Sequence, residues 1–152
     1  MPPAARAPAH VQYHRALQHP SETRHLDIAI VGAGAIGSRI AAHLAQQGTS
    51  CTLVDGWPEH VAALNRDGLR LQRAGREERF AVEAFGYDDL SPGRFGMVLL
   101  AVRSDATRAA MPVVRQLLDD DGFVVSCQNG LNEEEIAEAI GPERTLGCSM
   151  IF

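Results

Sequence analysis

Three glycines and one acid are the residues of this chain whose spacing points most directly to chemistry. Gly32, Gly34 and Gly37 follow an apolar run and open an amphipathic helical pattern. Gly32 permits a tight turn, Gly34 lets the backbone approach a pyrophosphate, and Gly37 allows a helix to pack closely on a strand. Asp55 ends the next apolar run, at the spacing of an acid that accepts a hydrogen bond from a ribose 2′-hydroxyl. The pattern predicts a dinucleotide-binding turn.

The plainer alternative for this stretch is a tight strand-to-helix turn followed by a solvated aspartate. The chain contains no lysine, and all 14 of its basic residues are arginines, which excludes a Walker-type phosphate loop. A dinucleotide turn needs no lysine, because main-chain N–H groups and the positive end of the helix dipole stabilise the phosphates. The composition therefore favours a dinucleotide site over a Walker-type nucleotide site.

Size and composition indicate one soluble domain with a small-molecule site. The chain has 152 residues, is 45% hydrophobic and carries a net charge of −5, which gives no electrostatic footprint for nucleic acid. No apolar run approaches the roughly 20 residues that span a membrane, and no signal peptide is recognisable, so we expect a cytoplasmic protein. Residues 1–26 are rich in Pro, Ala and His and are predicted to form a disordered arm. Residues 27–152 are predicted to form the dinucleotide-binding domain.

The cysteines and histidines favour neither a metal site nor thiol chemistry. Cys51, Cys127 and Cys148 lie on predicted strands without a CxxC pattern, as expected of reduced core thiols in a cytosolic protein. Four of the six histidines fall in the N-terminal arm at irregular spacing without cysteine or acidic co-ligands. We therefore expect a solvated tail there and no metal ligands.

Strand-like and helix-like patterns alternate along the chain from residue 27. Such alternation predicts an α/β fold with a doubly wound, mainly parallel sheet of the Rossmann type. Gly48 and Gly68 are predicted to end helices, Ser104 to cap the helix that follows it, and Asn132 with Glu135 to form a capping box. The predicted strands are 28–31, 51–55, 97–102, 123–126 and 146–152, the helices 35–47, 58–66, 105–118 and 133–140, and an antiparallel pair 69–72 and 79–84.

Four separate stretches lie at predicted carboxyl ends of strands, which is where ligands bind in such sheets. They are the glycine turn, Asp55, Arg103 and Asn129. We expect them to meet in one crevice, with Trp57 beside its adenosine-binding part.

Several of these stretches resemble the N-terminal domain of the ketopantoate reductase (2-dehydropantoate 2-reductase) family. The resemblance runs from about residue 25 to residue 152, and its most specific part is the Gln128-Asn129-Gly130 turn followed by an acidic helix. It implies hydride transfer from a nicotinamide cofactor to a 2-keto acid, 2-dehydropantoate, with Asn129 positioned near the nicotinamide ribose and the keto acid. The same Asn129 is equally explained as a turn residue before glycine. The cofactor-binding positions implied are Gly32, Ala33, Gly34, Ala35, Ile36, Gly37, Asp55, Arg103 and Asn129.

Two departures from the family pattern bear on the choice between NAD and NADP. NADPH-dependent members commonly have a basic residue just after the second strand, whereas this chain has Asp55-Gly56-Trp57. A carboxylate accepts hydrogen bonds from ribose hydroxyls and repels a 2′-phosphate, so NAD is favoured. Arg103 stands where the family often has lysine, and it keeps the positive charge with a different geometry. A surface arginine at a strand end is the competing interpretation of Arg103.

In the family, a C-terminal helical domain supplies the catalytic lysine and an acidic substrate-binding residue. This sequence lacks both that domain and any lysine, so no catalytic residue is assigned and the chain alone is expected to be inactive. Its apolar last residues, 150–152, indicate a fragment that associates with itself or with the missing domain. Two alternatives remain: a stand-alone NAD(P)-binding module without turnover, and a 6-phosphogluconate-dehydrogenase-like enzyme fragment with another substrate.

Overall fold

The computed structural model describes residues 27–73, 75–90 and 94–149, and the predicted arm of residues 1–26 lies outside them. Two short 3-10 turns, Ser104–Ala106 and Pro142–Arg144, interrupt the regular elements. The strands of the described residues are β1 (Ile28–Val31), β2 (Thr52–Asp55), β3 (Leu69–Arg73), β4 (Arg76–Phe80), β5 (Glu83–Gly86), β6 (Phe95–Leu100), β7 (Leu118–Ser126) and β8 (Thr145–Gly147). The helices are α1 (Ala35–Gln46), α2 (Pro58–Asp67), α3 (Thr107–Leu117) and α4 (Glu133–Ile140).

Six strands form one parallel sheet in the order β5-β2-β1-β6-β7-β8. The apolar strand β1 lies at its centre, where Ile30 pairs with Leu53 of β2 on one side and with Leu99 of β6 on the other. Strand order reverses between β1 and β6, which leaves a crevice at the carboxyl ends of these strands. The predicted doubly wound parallel sheet is confirmed.

Helices cover both faces of the sheet, because alternate side chains of the central strands point to opposite sides. On one face Ile30 packs with Leu53 and with residues of α1 and α2, such as Ala41 and Leu64. On the other face Val31 packs against residues of α3 and α4. Burial of the sheet on both sides explains why its central strands are nearly continuous apolar runs.

Glycines end the first two helices, as predicted. Gly48 has a φ of +73°, its N–H donates to the carbonyl of Ala45, and the N–H of Thr49 donates to the carbonyl of Leu44. This pair of bonds is a Schellman motif. Gly68 has a φ of +75° and ends α2.

The predicted strand over residues 79–84 is wrong, because two different strands divide it. β4 pairs antiparallel with β3 in a separate two-stranded sheet, whereas β5 joins the edge of the main sheet parallel to β2. The side chain of Asn65 bonds to the edge strand β5: its Nδ2 donates to the carbonyl of Ala84, and its Oδ1 accepts from the N–H of Ala84. Both main-chain groups of Ala84 are thereby satisfied by α2 and not by a further strand.

Strand β7 begins five residues before the predicted start at residue 123, since its first part pairs with β6 through a register shift. Toward the other end of the chain, β8 spans Thr145–Gly147, so among the described residues of the predicted strand 146–152 only residues 146 and 147 are in a strand. Residues 150–152 lie outside the described part. Among the described residues, no helix has the length and apolar character needed to cross a membrane.

Candidate functional site

A cleft of about 910 Å³ lies at the carboxyl ends of the strands on either side of the β1–β6 reversal. It brings the glycine turn, Asp55, Arg103 and Asn129 together, at the edge of the sheet that the sequence predicted. Ala33 and Gly37, two other candidate positions, are buried beneath its surface. The cleft is lined by Gly32, Gly34, Ala35, Ile36, Asp55, Gly56, Tyr87, Ala101, Val102, Arg103, Ser104, Asp105, Ala106, Cys127, Gln128 and Asn129.

The three glycines of the turn differ in what surrounds them. Gly32 has a φ of +99°, and a Cβ on it would lie 2.7 Å from the main-chain nitrogen of Val102. A Cβ on Gly37 would clash with the carbonyl oxygen of Gly32, so this glycine allows α1 to pack on β1. A Cβ on Gly34 would meet nothing within 4 Å, and Gly34 lines the cleft. The backbone is therefore open to a ligand at Gly34 and closely packed at Gly32 and Gly37.

Side chains hold both main-chain groups of Ala33. Its N–H donates to Oδ2 of Asp55 at 2.7 Å. Its carbonyl oxygen accepts from the Ser38 hydroxyl at 2.7 Å and from Nε2 of His60 at 2.9 Å. Neither Ser38 nor His60 belongs to the glycine pattern, so neither was predicted as a site residue. These contacts fix the turn between β1 and α1.

Asp55 connects the glycine turn with the start of α2. Its Oδ1 accepts from the N–H of Trp57 at 2.9 Å, so each of its oxygens accepts one main-chain hydrogen bond. Trp57 is 60% exposed, and its ring stacks on His60 with 5.7 Å between the ring centroids. The main-chain N–H groups of Ala33 and Trp57 thus fix the orientation of the Asp55 carboxylate at the cleft.

Tyr87 also lines the cleft, close to Asp55, and it was not foreseen from the sequence. Its ring lies 3.1 Å from the position of a Cβ on Gly56, so the glycine after Asp55 leaves room for the ring. Burial, and secondarily the negative charge of Asp55, raise the pKa of the Tyr87 hydroxyl above its ordinary value. Tyr87 stays a neutral hydrogen-bonding group in this part of the cleft.

The Gln128-Asn129-Gly130 turn is held to the end of β6 by the amide of Gln128. Nε2 of Gln128 donates to the carbonyl of Val102 at 2.9 Å and to Oγ1 of Thr107 at 2.8 Å. Gln128 is only 7% exposed, so its amide is a structural part of the cleft wall. Gly130 has a φ of +102°, a value that favours glycine.

The expected caps at Ser104 and Asn132 are not formed, because both side chains bond to Asn129 instead. The Ser104 hydroxyl donates to the Asn129 carbonyl at 2.9 Å, and α3 begins three residues later, at Thr107. Nδ2 of Asn132 donates to the same carbonyl at 3.1 Å and to the Ser104 hydroxyl at 3.2 Å. Asn132 is the residue before α4, but no side-chain cap bond forms there, so the capping box with Glu135 is absent.

Arg103 stands at the rim of the cleft and pairs with Asp105. Its Nε and one terminal nitrogen donate to the two carboxylate oxygens at 3.1 and 2.6 Å. The Arg103 side chain is 85% exposed, so this pair is strongly screened by water. The arginine brings positive charge to the cleft, and Asp105 offsets it.

The cysteines are not arranged for metal binding or nucleophilic chemistry in the described part of the chain. Burial, with a smaller contribution from Cys148, raises the pKa of Cys127 to about 11, so its nucleophilic thiolate form is suppressed at neutral pH. Residues 27–73, 75–90 and 94–149 contain no group of three His, Cys, Asp or Glu side chains that could hold a metal ion.

Comparisons with known proteins point to one family. The family model described as "Ketopantoate reductase PanE/ApbA" matches residues 28–152. A 2-dehydropantoate 2-reductase of Lactococcus lactis subsp. lactis is 31% identical over 112 residues, which are 73% of this chain and 36% of that protein.

Solved structures of a ketopantoate reductase and of another dehydrogenase are similar to this chain. A PanE/ApbA family ketopantoate reductase from Ralstonia eutropha JMP134 has a TM-score of 0.68 at 28% identity, over 80% of this chain and 40% of that chain. D-Mandelate dehydrogenase, in a ternary structure with NADH and anilino(oxo)acetate, has a TM-score of 0.72 at 29% identity, over 79% of this chain and 39% of that chain. This chain spans well under half the length of each of these relatives.

Proposed function

Because the chain belongs to the ketopantoate reductase family, in which it corresponds to the N-terminal domain, we propose that it binds a nicotinamide dinucleotide in the cleft. The observation that carries this proposal is the open backbone at Gly34, in the same cleft as Asp55 and Asn129. An unobstructed main chain at the start of a helix is what a pyrophosphate requires. The part of the chain from residue 27 onward would then be the dinucleotide-binding domain of an NAD(P)-dependent oxidoreductase.

The residues of the cleft fit the successive parts of such a cofactor. The turn from Gly32 to Gly37, which includes Ala33, Ala35 and Ile36, would hold the pyrophosphate with main-chain N–H groups other than that of Ala33, which donates to Asp55. Asp55 would accept hydrogen bonds from the adenosine ribose, and Arg103 would contact a phosphate or ribose from the rim. Asn129, whose carbonyl is held by Ser104 and Asn132, would meet the nicotinamide ribose and the substrate.

We propose NAD as the preferred cofactor. Each oxygen of Asp55 accepts one main-chain hydrogen bond, and these bonds hold the carboxylate in place at the cleft. A carboxylate at the ribose position repels the 2′-phosphate of NADP and accepts from the free hydroxyls of NAD. The likeness to D-mandelate dehydrogenase in complex with NADH supports this choice.

The reaction we propose for the full enzyme is reduction of 2-dehydropantoate. A bound reduced nicotinamide would supply a hydride to the carbonyl carbon of the keto acid, and a proton donor would convert the alkoxide to the hydroxyl group. Proton transfer alone contributes roughly 10²–10⁴-fold to such rates. The family resemblance assigns that proton to a lysine, and this chain has none, so we propose that it is inactive or slow on its own.

The direct test is titration of the purified chain with NADH and with NADPH, monitored by fluorescence of Trp57, the one tryptophan of the chain. We expect saturable quenching with NADH at lower concentration than with NADPH. The matched variants Gly34→Asp and Gly34→Asn have side chains of nearly equal size, and only aspartate adds a negative charge beside the pyrophosphate. We expect Asp to abolish binding and Asn to weaken it less. A folded wild-type chain that binds neither cofactor would refute the proposal.

A second assay separates an enzyme domain from a binding module without turnover. The helical domain of a ketopantoate reductase is added in trans, and NADH oxidation is followed with 2-dehydropantoate as substrate. Restored turnover supports an enzyme domain, whereas cofactor binding without turnover supports the module. The likeness to D-mandelate dehydrogenase favours testing a second substrate, an aromatic 2-oxo acid, in the same assay. Turnover with the aromatic acid but not with 2-dehydropantoate would show that the substrate is not 2-dehydropantoate.

A further inference from the structure

His60 and Ser38 together saturate one carbonyl of the glycine turn. The Ala33 oxygen accepts from the Ser38 hydroxyl at 2.7 Å and from Nε2 of His60 at 2.9 Å. A carbonyl oxygen has two lone pairs and no proton, so both partners must be donors. Nε2 of His60 is therefore the donor in this contact.

The orientation of this carbonyl determines where the next N–H group points. All described peptide bonds are trans, and in a trans peptide the C=O and the following N–H point in opposite directions. Drawing the Ala33 carbonyl toward Ser38 and His60 directs the N–H of Gly34 away from them. Gly34 lines the cleft, and neither Ser38 nor His60 does. The Gly34 N–H is thus turned to the side of the turn opposite Ser38 and His60.

His60 is itself held in place from the other side. Its ring stacks on Trp57 with an interplanar angle of 25°, and the Trp57 N–H donates to Asp55, which accepts in turn from the N–H of Ala33. These contacts form a closed circuit from Ala33 through Asp55, Trp57 and His60 back to Ala33. Asp55 at the end of β2 and His60 in α2 therefore fix the N–H and the carbonyl of Ala33 in the turn after β1.

We propose that His60 is a positioning residue that aims the Gly34 N–H at the cofactor pyrophosphate, an inference that rests on the proposed cofactor site. It acts without touching the cofactor, through the Ala33 carbonyl. Preorganised main-chain donors bind an anion more tightly because the turn needs no reordering when the ligand arrives. Loss of the His60 donor should therefore weaken dinucleotide binding.

Two substitutions separate the donor of His60 from its ring. His60→Phe keeps a ring to stack on Trp57 and removes the N–H, whereas His60→Gln keeps an N–H donor at similar reach and removes the ring. Calorimetry should show that His60→Phe raises the Kd for NADH roughly three- to tenfold, and that His60→Gln restores most of the affinity. His43→Phe is the control, because His43 contacts Gln46 on the surface of α1 and should leave the Kd unchanged. Wild-type affinity in His60→Phe, or equal loss in both His60 variants, would overturn the proposal.

A spectroscopic measurement tests the same contact without a cofactor. The amide resonance of Gly34 should shift, and its hydrogen exchange should accelerate, in His60→Phe more than in His60→Gln. If wild type fails to bind NADH while Gly34 responds in this way, the proposed function fails and the orienting contact stands. An unchanged Gly34 amide would reject the contact. Should His60→Phe not fold, Ser38→Ala removes the other donor to the Ala33 carbonyl and is read by the same amide.

Discussion

The two ends of the cleft each fix a main-chain carbonyl with two side-chain donors, but they tolerate different changes. At the glycine-turn end, defined by Gly32, Gly34 and Asp55, the carbonyl of Ala33 accepts from Ser38 and His60. At the amide end, defined by Ser104, Gln128 and Asn129, the carbonyl of Asn129 accepts from Ser104 and Asn132.

The glycine-turn end depends on the absence of side chains at Gly32 and Gly37, because Val102, just after β6, lies against Gly32 and the carbonyl of Gly32 lies against Gly37 of α1. The amide end depends on a buried amide, since Gln128, just after β7, donates to Val102 in the segment after β6 and to Thr107 at the start of α3. Added atoms should therefore damage the first end, and lost hydrogen-bond partners should damage the second. This difference identifies which kind of substitution tests each end.

The largest effect is expected from a single methyl group at Gly32. Gly32→Ala should lower the free energy of unfolding by about 4 kcal/mol, because backbone strain at positive φ and overpacking each cost about 1–3 kcal/mol. Gly34→Ala is the matched control: its φ is −70° and its Cβ meets nothing within 4 Å, so stability should hardly change. Urea unfolding of both variants measures this. Equal destabilisation would show that the glycine-turn end does not depend on close backbone approach at Gly32.

The second expected effect comes from removing a hydrogen-bond donor at the amide end. Gln128→Leu should cost about 2 kcal/mol of unfolding free energy, because the carbonyl of Val102 and the buried Oγ1 of Thr107 each lose a donor. Thr107→Val removes one of these acceptors, so the double variant should lose less than the sum of the single losses. Additive losses in urea unfolding would contradict a direct contact between the two side chains.

The difference between the two ends also explains which features of the fold and the site could be predicted from the sequence. Glycine spacing and apolar runs are local signals, so they predicted the strand 28–31, the turn after it and the parallel sheet. The acid at position 55 was found because it ends the next apolar run. Only glycine lets another backbone segment approach this closely, so the roles of Gly32 and Gly37 could be predicted from the residue type and its spacing.

Side chains that bond across the fold gave no such signal. Ser104 and Asn132 are residue types that commonly cap helices. In the fold both side chains donate to the Asn129 carbonyl instead, and this contact cannot be predicted from the helix pattern. His60 lies in the first turn of α2, 27 residues from Ala33, and no pattern connects the two. The bonds between Asn65 in α2 and Ala84 in β5 likewise join residues 19 positions apart that no sequence pattern connects.

A third prediction concerns the buried thiol of the amide end. Burial raises the pKa of Cys127 from 9.0 to about 11, so the unfolded chain loses this proton at lower pH than the folded chain. Its contribution to stability is complete below pH 9 and is lost as the pH rises to 11. At pH 10 the loss should be about 1 kcal/mol. Urea unfolding between pH 8 and 10 should show a steeper decline in wild type than in Cys127→Ala, and parallel declines would contradict this burial.

The smallest effects are expected from the two serines that occupy equivalent places at the two ends. Ser38→Ala and Ser104→Ala each leave the carbonyl one donor, from His60 and Asn132 respectively. Ser38 is half-buried and Ser104 is exposed, so water replaces the lost bond more readily at the amide end. Thermal unfolding should therefore show a loss of about 1 kcal/mol for Ser38→Ala and about 0.5 kcal/mol for Ser104→Ala. The reverse order would mean that Ser104, through its bond with Asn132, holds the Asn129 turn more firmly than Ser38 holds the glycine turn.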